Sequence, residues 1–283
     1  MNIRAISEVV SDLGEGPLWN PQTNCVTWTD ITQKVFHVAD LDTGATQSFT
    51  APSMVGALAH TRGGDYVAAT QEGFAHVSAD GKFSPLHTFL DSDVRMNDGK
   101  VDPVGRFWAG SFALTLEKAR GVLYVLDKDG SYRSVLENIT LTNGMGWSPD
   151  SAYFYYIDSI PGVLRRFNFD SEHGEISDPI DLIIFDTSRG IPDGMSVTSD
   201  GKIVVALWDG GRVEIYEPSG VKLSEIKLGT GRPTSCTFGG PGGSVLIITT
   251  ASQDIDRSTE PLAGKILAVT GTGLVGLPTH RYG

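Results

Sequence analysis

The chain has 283 residues, of which 40% are apolar and 20% charged, proportions that are ordinary for a globular protein with a sizeable core. Its net charge is −12 without a basic cluster, which disfavours nucleic acid as a partner because phosphate binding requires Lys and Arg. No apolar run reaches the roughly 18 residues of a membrane span, and the N-terminus lacks a signal-peptide core. We therefore expect a cytoplasmic protein with no membrane partner.

Cysteine and glycine usage limits the domain organisation. Cys25 and Cys236 are far apart in the sequence and form neither a disulfide framework nor a thiolate zinc site. The 34 glycines are spread along the chain, and no Gly/Ser-rich or Pro-rich block resembles a linker. We expect a single domain over residues 1–283.

Six segments of the chain share one plan: a small-residue opening, a short apolar strand, a polar turn and a second strand. In chain order they are "GEGPLWNPQTNCVTWTD", "VGALAHTRGGDYVAAT", "DGKVDPVGRFWAGS", "NGMGWSPDSAYFYYID", "DGMSVTSDGKIVVALW" and "TSCTFGGPGGSVLIITTA". Each is followed by a two-strand unit with another turn, and β-branched and aromatic residues fill the strands. Four strands in each of six repeats predict an all-β fold, a six-bladed β-propeller with antiparallel blades around a central channel. The N-terminal "ISEVV" is expected to close the ring by pairing with "KILAVTG".

One position opens each repeat, and these positions recur at intervals of about 40 to 50 residues. They hold Glu15, Val55, Asp98, Asn143, Asp193 and Thr234. Because the repeats are equivalent, all six residues should lie at the same end of the channel, which we call the mouth. Four of them carry carbonyl or carboxylate oxygens, and Glu15, Asn143 and Asp193 each precede a glycine that lets the backbone turn.

Carboxylates that meet in a half-buried channel repel each other, and burying even one ion costs several kcal/mol unless it is paired. A divalent cation would relieve this, and hard oxygen donors suit Ca²⁺, Mg²⁺ or Mn²⁺, while Zn²⁺ also accepts carboxylates. The alternative is that these residues only form turns or pair with Arg95. The residues alone leave both interpretations open.

The third repeat adds a second motif, "RMNDGKVDPVGRFWAGS". Arg95 and Asn97 flank Asp98 and should reach the mouth, where the planar Arg fork can bind hydroxyl or carboxylate oxygens. The alternative for Arg95 is a salt bridge to Glu15 or Asp98, and Asp98 itself could only order the following turn. Strand alternation is expected to turn Lys100 to the far face, outside the site.

Other catalytic signatures are absent. The six histidines show no HxH or HExxH spacing, and no serine lies in a GxSxG elbow. The sequence also lacks a dinucleotide fingerprint and a phosphate-binding loop. These absences leave the mouth residues as the candidate site.

Five motifs in order, "LGEGPLW", "RMNDGKVDPVGRFWAG", "LTNGMGWSPD", "IPDGMSVTSDG" and "TSCTFGG", carry a family resemblance. From about Leu13 to the C-terminus the chain resembles the senescence-marker-protein, gluconolactonase and luciferin-regenerating-enzyme-like family. The resemblance implies a six-bladed propeller that hydrolyses sugar lactones with one divalent metal ion, Ca, Mn, Mg or Zn. It implies that the metal ligands are Glu15, Asn143 and Asp193.

The resemblance also implies that Arg95 and Asn97 contact the substrate. An Asn like Asn97 binds the metal in related propeller hydrolases, so its role stays open between metal and substrate. Some family members carry an acidic residue that touches the sugar shortly after the "FWAG" strand. Here Thr115 stands at that position and Glu117 follows two residues later, so the sugar preference is not implied.

The expected mechanism gives Asp193 two roles, as a metal ligand and as the general base for the attacking water, with Arg95 and Asn97 holding ring hydroxyls. The expected partner is a small-molecule sugar lactone, and the expected state a monomer or small homo-oligomer. Two alternatives remain. One is a metal-dependent aryl-esterase or phosphotriesterase on the same scaffold, and the other is a calcium-binding propeller without catalysis.

Overall fold

Six four-stranded antiparallel sheets make up the computed structural model, which describes residues 1–283. The strands are β1 Asn2–Ala5, β2 Gly14–Asn20, β3 Cys25–Asp30, β4 Val35–Asp40, β5 Thr46–Thr50, β6 Val55–His60, β7 Tyr66–Thr70, β8 Gly73–Val77, β9 Phe83–Thr88, β10 Val94–Val101, β11 Phe107–Ala113, β12 Gly121–Leu126, β13 Tyr132–Ile139, β14 Thr142–Trp147, β15 Tyr153–Asp158, β16 Val163–Asp170, β17 Glu175–Ile184, β18 Ile191–Val197, β19 Ile203–Trp208, β20 Arg212–Tyr216, β21 Lys222–Lys227, β22 Pro233–Gly239, β23 Val245–Thr250 and β24 Leu267–Thr270. Two short 3-10 helices, Thr187–Arg189 and Pro241–Gly243, are the only helical elements, and neither could cross a membrane. The predicted six-bladed propeller with four antiparallel strands per blade is confirmed.

Blades 1 to 5 each take four consecutive strands, beginning with β2, β6, β10, β14 and β18. Blade 6 contains β22, β23 and β24, and β1 completes it by pairing with β24 from Asn2↔Thr270 to Ala5↔Leu267. An N-terminal strand therefore closes the ring, as expected, but the predicted segment "ISEVV" was wrong. Residues 6–10 lie just beyond the strand, where the Ser7 hydroxyl accepts the Val9 N–H at 3.1 Å and bends the chain away.

The hydrophobic core is divided into six clusters, and each lies between two neighbouring blades. Between blades 3 and 4, for example, the Trp108 ring meets Trp147 and Phe154 with centroids 5.7 and 5.1 Å apart. Strand side chains alternate between faces, so both faces of a blade can be apolar while its backbone groups pair within the sheet. This packing holds the six inner strands around the channel.

Each inner strand has a shift in register at the mouth position. The shifts lie between Glu15 and Leu18, Val55 and Ala57, Met96 and Gly99, Thr142 and Met145, Pro192 and Met195, and Pro233 and Ser235. Such irregularities interrupt the alternation of side chains and re-aim the residue at that point. All six mouth residues are thereby displaced from regular strand geometry at the same height.

The glycines after the mouth residues serve mainly the close approach of neighbouring inner strands. A Cβ at Gly194 would lie 2.1 Å from the Ser235 hydroxyl, and a Cβ at Gly144 would lie 2.7 Å from the Asp193 carbonyl oxygen. Gly16 alone of the three has the positive φ, 54°, that the sequence analysis expected of a turn. Any side chain at Gly144 or Gly194 would push two blades apart.

The C-terminal segment crosses the end of the channel opposite the mouth. Its Val275 carbonyl accepts the Ser199 N–H of blade 5 at 2.8 Å, and its Tyr282 N–H donates to the His60 carbonyl of blade 2 at 2.8 Å. Leu277 to His280 line a channel cavity of about 310 Å³ between this segment and the mouth residues.

Candidate active site

The four polar mouth residues, Glu15, Asp98, Asn143 and Asp193, are all buried, with exposed fractions of 4 to 7%. The acidic ones feel one another's charge: Asp98 acts on Glu15, and both act on Asp193. The structure thus brings together residues that are distant in sequence. The fifth oxygen-bearing mouth residue, Thr234, has a structural contact instead, because its hydroxyl donates to the Gly14 carbonyl at 2.5 Å and joins blade 6 to blade 1.

Two carboxylates at the mouth, those of Glu15 and Asp193, have raised pKa values because they are buried with little positive charge nearby. Burial raises the pKa of Glu15 to about 8, with the charge of Asp98 adding to the rise and the Gly16 N–H and Arg95 opposing it. Burial also raises the pKa of Asp193 well above its ordinary value, and Glu15 and Asp98 raise it further, against the lowering effect of the Asn143 amide and Arg95. In the absence of a cation, both groups therefore tend to hold a proton near neutral pH.

The nitrogen of the Asn143 carboxamide is hydrogen-bonded within the protein, whereas its oxygen is not. Its Nδ2 donates to the Ser159 hydroxyl at 3.0 Å, and that hydroxyl donates to the Pro192 carbonyl at 2.6 Å. The Asn143 Oδ1 is buried and has no hydrogen-bond partner. A buried oxygen in this state lacks a donor or a cation. Ser159 was missed from the sequence because no motif marks it, and only the pairing of β14 with β15 brings it to Asn143.

Two further aspartates fix the backbone that leads into the mouth. In blade 4, Asp158 accepts the backbone N–H groups of residues 140 and 141 at 3.1 and 3.0 Å. In blade 1, Asp30 accepts those of residues 12 and 13 at 2.9 and 3.1 Å. Each aspartate is the last residue of the second strand of its repeat, in "TWTD" and "YYID". This shared position is the sequence pattern from which both could have been predicted.

Arg95 and Asn97 lie buried beside each other in the third blade. The Arg95 Nη1 donates to the Asn97 Oδ1 at 2.9 Å and to the Met96 carbonyl at 2.8 Å, while the guanidinium lies 4.6 Å from the Phe112 ring centroid. The Asn97 Nδ2 donates to the Thr142 carbonyl at 2.7 Å. The alternative of a salt bridge from Arg95 to Glu15 or Asp98 does not occur within 4 Å, and Arg95 acts on Glu15 only through its charge at longer range.

The mouth residues fit a hard divalent cation. Glu15 and Asp193 supply carboxylates whose raised pKa values indicate missing positive charge, and Asn143 supplies the unpartnered oxygen. Oxygen donors of this kind suit Ca²⁺, Mg²⁺ or Mn²⁺. No group of three or more His, Cys, Asp or Glu side chains in the chain is arranged to hold a metal. The proposed ligands Glu15, Asn143 and Asp193 are not such a group, because Asn143 contributes an amide oxygen and only two of the three residues are acidic.

Lys100 was expected on the far face of its strand, and that expectation was wrong. It lines the channel cavity together with Asp98 and Cys236, and its Nζ donates to the Met195 carbonyl of blade 5 at 2.7 Å. The register shift between Met96 and Gly99 breaks the strand alternation on which the expectation depended. Lys100 also lowers the pKa of Asp98, which burial raises.

Comparison with known proteins agrees with this architecture. Residues 13–252 match the family model described as the SMP-30/Gluconolactonase/LRE-like region. Regucalcin from Gallus gallus is 34% identical over 282 residues, covering 95% of this chain and 94% of its own. A solved luciferin-regenerating enzyme is similar with a TM-score of 0.92 at 27% identity, covering 99% of both chains.

A solved calcium-binding protein, regucalcin from Agrobacterium tumefaciens, is similar with a TM-score of 0.93 at 25% identity, covering 99% of this chain and 97% of its own. The family model spans most of the chain, and the Gallus gallus relative spans nearly all of it. On this evidence the chain belongs to the SMP-30/gluconolactonase/LRE-like family.

Proposed function

We propose that this protein is a divalent-metal-dependent lactonase, which hydrolyses a sugar lactone to the open hydroxy acid. Glu15, Asn143 and Asp193 would hold the metal, and Arg95 and Asn97 would position the substrate. The observation that carries the proposal is the buried mouth of the channel, where two carboxylates with raised pKa values accompany an amide oxygen without a partner.

A divalent ion bound there would act as a Lewis acid on the lactone carbonyl. The side chains of this protein would supply the rest of the chemistry. Asp193 would accept a proton from the water that attacks the carbonyl carbon. When the ring C–O bond breaks, that proton can pass to the departing ring oxygen. Beside the bound ion Asp193 would stay ionised, so its help would be mainly to hold the attacking water and take up the proton as the bond forms.

Arg95 would bind the substrate, and Asn97 would support Arg95. Within the chain, Arg95 donates its hydrogen bonds from Nη1, so the N–H groups of its Nε and Nη2 remain for ring hydroxyls. Asn97 uses both ends of its amide within the protein and would mainly hold Arg95 in place. The contact of Arg95 with the Phe112 ring restrains the guanidinium further.

The test is an activity screen of chelator-stripped protein reloaded with Ca²⁺, Mn²⁺, Mg²⁺ or Zn²⁺. Its substrates are a panel of aldonolactones, an aryl ester and a phosphotriester. The proposal expects lactone hydrolysis that requires metal and falls by at least about 10²-fold in Asp193→Asn, which loses a metal ligand and the proton acceptor together. Faster turnover of the aryl ester or phosphotriester would favour the aryl-esterase or phosphotriesterase alternative. Full activity in Asp193→Asn would remove that residue from the mechanism.

A second candidate is a calcium-binding propeller without catalysis. It is supported by the likeness to the solved regucalcin, which is described as a calcium-binding protein. Tight calcium binding by a protein that hydrolyses no substrate in the screen with any of the four metals would favour this candidate.

A further inference from the structure

The loop of residues 114–120 lies at the mouth end of blade 3. It follows β11, whose last residues pair with Val94 and Arg95 at the start of β10. The loop begins where the Leu114 N–H donates to the Asp93 carbonyl at 2.8 Å. It ends near blade 4, where the Ala119 N–H donates to the Thr140 hydroxyl at 3.4 Å. The loop therefore connects the Arg95 side of the mouth with the segment that leads to Asn143.

This loop exposes two leucines, Leu114 and Leu116, to 43 and 45%. Leu116 has a φ of 56°, in the left-handed region that disfavours residues with a branched side chain. Neither leucine belongs to a core cluster between blades. The chain thus holds an exposed apolar side chain on strained backbone beside its candidate site, a combination that occurs most often at functional positions.

A third exposed apolar residue lies on the neighbouring blade. Ile160 is 43% exposed and directly follows Ser159, whose hydroxyl binds the amide of Asn143. The two leucines and this isoleucine therefore occur in the loops that flank Arg95 and Asn143. We call Leu114, Leu116 and Ile160 the apolar rim.

Two charged residues of the same loop, Glu117 and Arg120, form ion pairs. The Glu117 carboxylate pairs with Arg120 at 3.2 Å, and Arg120 pairs with Asp93 at 2.6 Å. One Glu117 oxygen is therefore engaged by Arg120 within the protein. The buried polar donors available for ring hydroxyls at this side of the mouth are the free N–H groups of Arg95.

We propose that the substrate is a lactone with a hydroxylated ring and an exocyclic arm that ends in an apolar group, the class of the 6-deoxy aldonolactones. This inference rests on the lactonase function proposed above. Arg95 would bind the ring hydroxyls, and the apolar rim would contact the terminal methyl group. A hydroxymethyl arm would instead bring a hydroxyl against Leu114 and Leu116, where it would lose its hydrogen bonds to water without gaining a partner.

The test compares kcat/KM of the metal-loaded protein within two matched pairs. L-fuconolactone differs from L-galactonolactone, and L-rhamnonolactone from L-mannonolactone, only by a missing hydroxyl on the arm. We expect the deoxy member to be preferred by about 10-fold or more, the range that one methyl-sized contact supports. Leu116→Asn should bring the ratio close to one while retaining hydrolysis of the hydroxylated member, because Asn tolerates a positive φ.

Ile180→Asn is the matched control, since Ile180 is equally exposed, at 43%, but lies on the outer strand β17. It should leave the ratio unchanged, and thermal melts of both variants would check folding. If aldonolactones are hydrolysed but the deoxy member is never preferred, or Leu116→Asn leaves the preference intact, the inference is wrong and the lactonase proposal stands. If no lactone is hydrolysed with any metal, the lactonase proposal itself is wrong.

Discussion

The Arg95 Nη1 lies 2.9 Å from the Asn97 Oδ1, so the oxygen that could have bound a metal is hydrogen-bonded to a guanidinium. The other end of the same amide donates to the Thr142 carbonyl, one residue before Asn143. This arrangement favours Asn97 as the residue that holds Arg95 and links blade 3 to blade 4. It also argues against Asn97 as a metal ligand, one of the two roles, metal binding and substrate binding, that the sequence left open for it.

Replacement of Asn97 distinguishes those roles. In Asn97→Leu we expect kcat/KM to fall about 10- to 100-fold, because a hydrogen bond to a charged group contributes about 1.5–3 kcal/mol. Metal affinity, measured by calorimetry, should stay within about 2-fold. Asn168→Leu, on an exposed face of blade 4, is the control and should change neither quantity. A loss of metal affinity in Asn97→Leu as large as that in Asn143→Leu would identify Asn97 as a ligand.

The Ser159 hydroxyl should matter for metal binding although it does not touch the metal. Ser159→Ala removes the acceptor that holds the Asn143 Nδ2, and we expect metal affinity to weaken about 10- to 100-fold, the usual effect of losing an outer partner of a ligand. Asn143→Leu should abolish binding. Calorimetric titration with Ca²⁺ and Mn²⁺ measures both, with Ser177→Ala on the outer strand β17 as a control. Unchanged affinity in Ser159→Ala would show that the hydrogen bond does not orient the ligand.

The raised pKa of Glu15 predicts how the stability of metal-free protein depends on pH. Glu15 titrates at about 8 in the folded chain and near its ordinary value of 4.5 when unfolded, so the folded state binds more protons between these values. Its free energy of unfolding should therefore fall as pH rises from about 4.5 to about 8, and Asp193 acts in the same direction. Thermal melts in chelator should show this fall.

Saturating metal should remove most of that dependence, because the cation replaces the protons on the two carboxylates. Glu15→Gln should reduce it without metal, since one of the two titrating carboxylates is then absent and only Asp193 remains. A melting temperature in chelator that stays level or increases between about pH 5 and pH 8 would contradict the raised pKa values of the mouth carboxylates.

Lys100 should contribute to stability from inside the channel. Lys100→Met removes the hydrogen bond to the Met195 carbonyl and the positive charge nearest to buried Asp98, and we expect a loss of about 1–3 kcal/mol in the free energy of unfolding. Urea denaturation measures this loss. Part of it should be restored in the double variant with Asp98→Asn, because the uncompensated carboxylate is then absent.

Lys82→Met provides a control, because the exposed pair of Lys82 with Asp80 should contribute less than about 1 kcal/mol. Equal effects of Lys82→Met and Lys100→Met would show that the buried position of Lys100 has no special importance for stability.

The regular part of this fold followed from the sequence because the repeats are similar and equivalent positions must share a height in a propeller. That reasoning predicted that Glu15, Asn143 and Asp193 lie together at the mouth. It failed where local geometry departs from the repeat. The register shift before Gly99 reversed the expected side of Lys100, and a serine-stabilised bend removed residues 6–10 from the last blade.

Contacts between segments were also beyond the sequence. Ser159 lies in a turn with no motif of its own, and its importance comes from a hydrogen bond to another strand. The glycines after Asn143 and Asp193 were explained as turn residues, whereas their lack of a side chain allows neighbouring blades to touch. The apolar rim likewise depends on which loops meet at the mouth, and composition alone does not reveal that.

The central claim is that the mouth of the channel binds one divalent ion through Glu15, Asn143 and Asp193. Isothermal titration calorimetry of chelator-stripped protein tests it most directly, with Glu15→Gln, Asp193→Asn and, as the control, exposed Asp181→Asn. We predict one ion per chain in the unmodified protein and the control, and no measurable binding in the two mouth variants. Undiminished binding in both mouth variants, or no binding of any divalent ion by the unmodified protein, would contradict the claim.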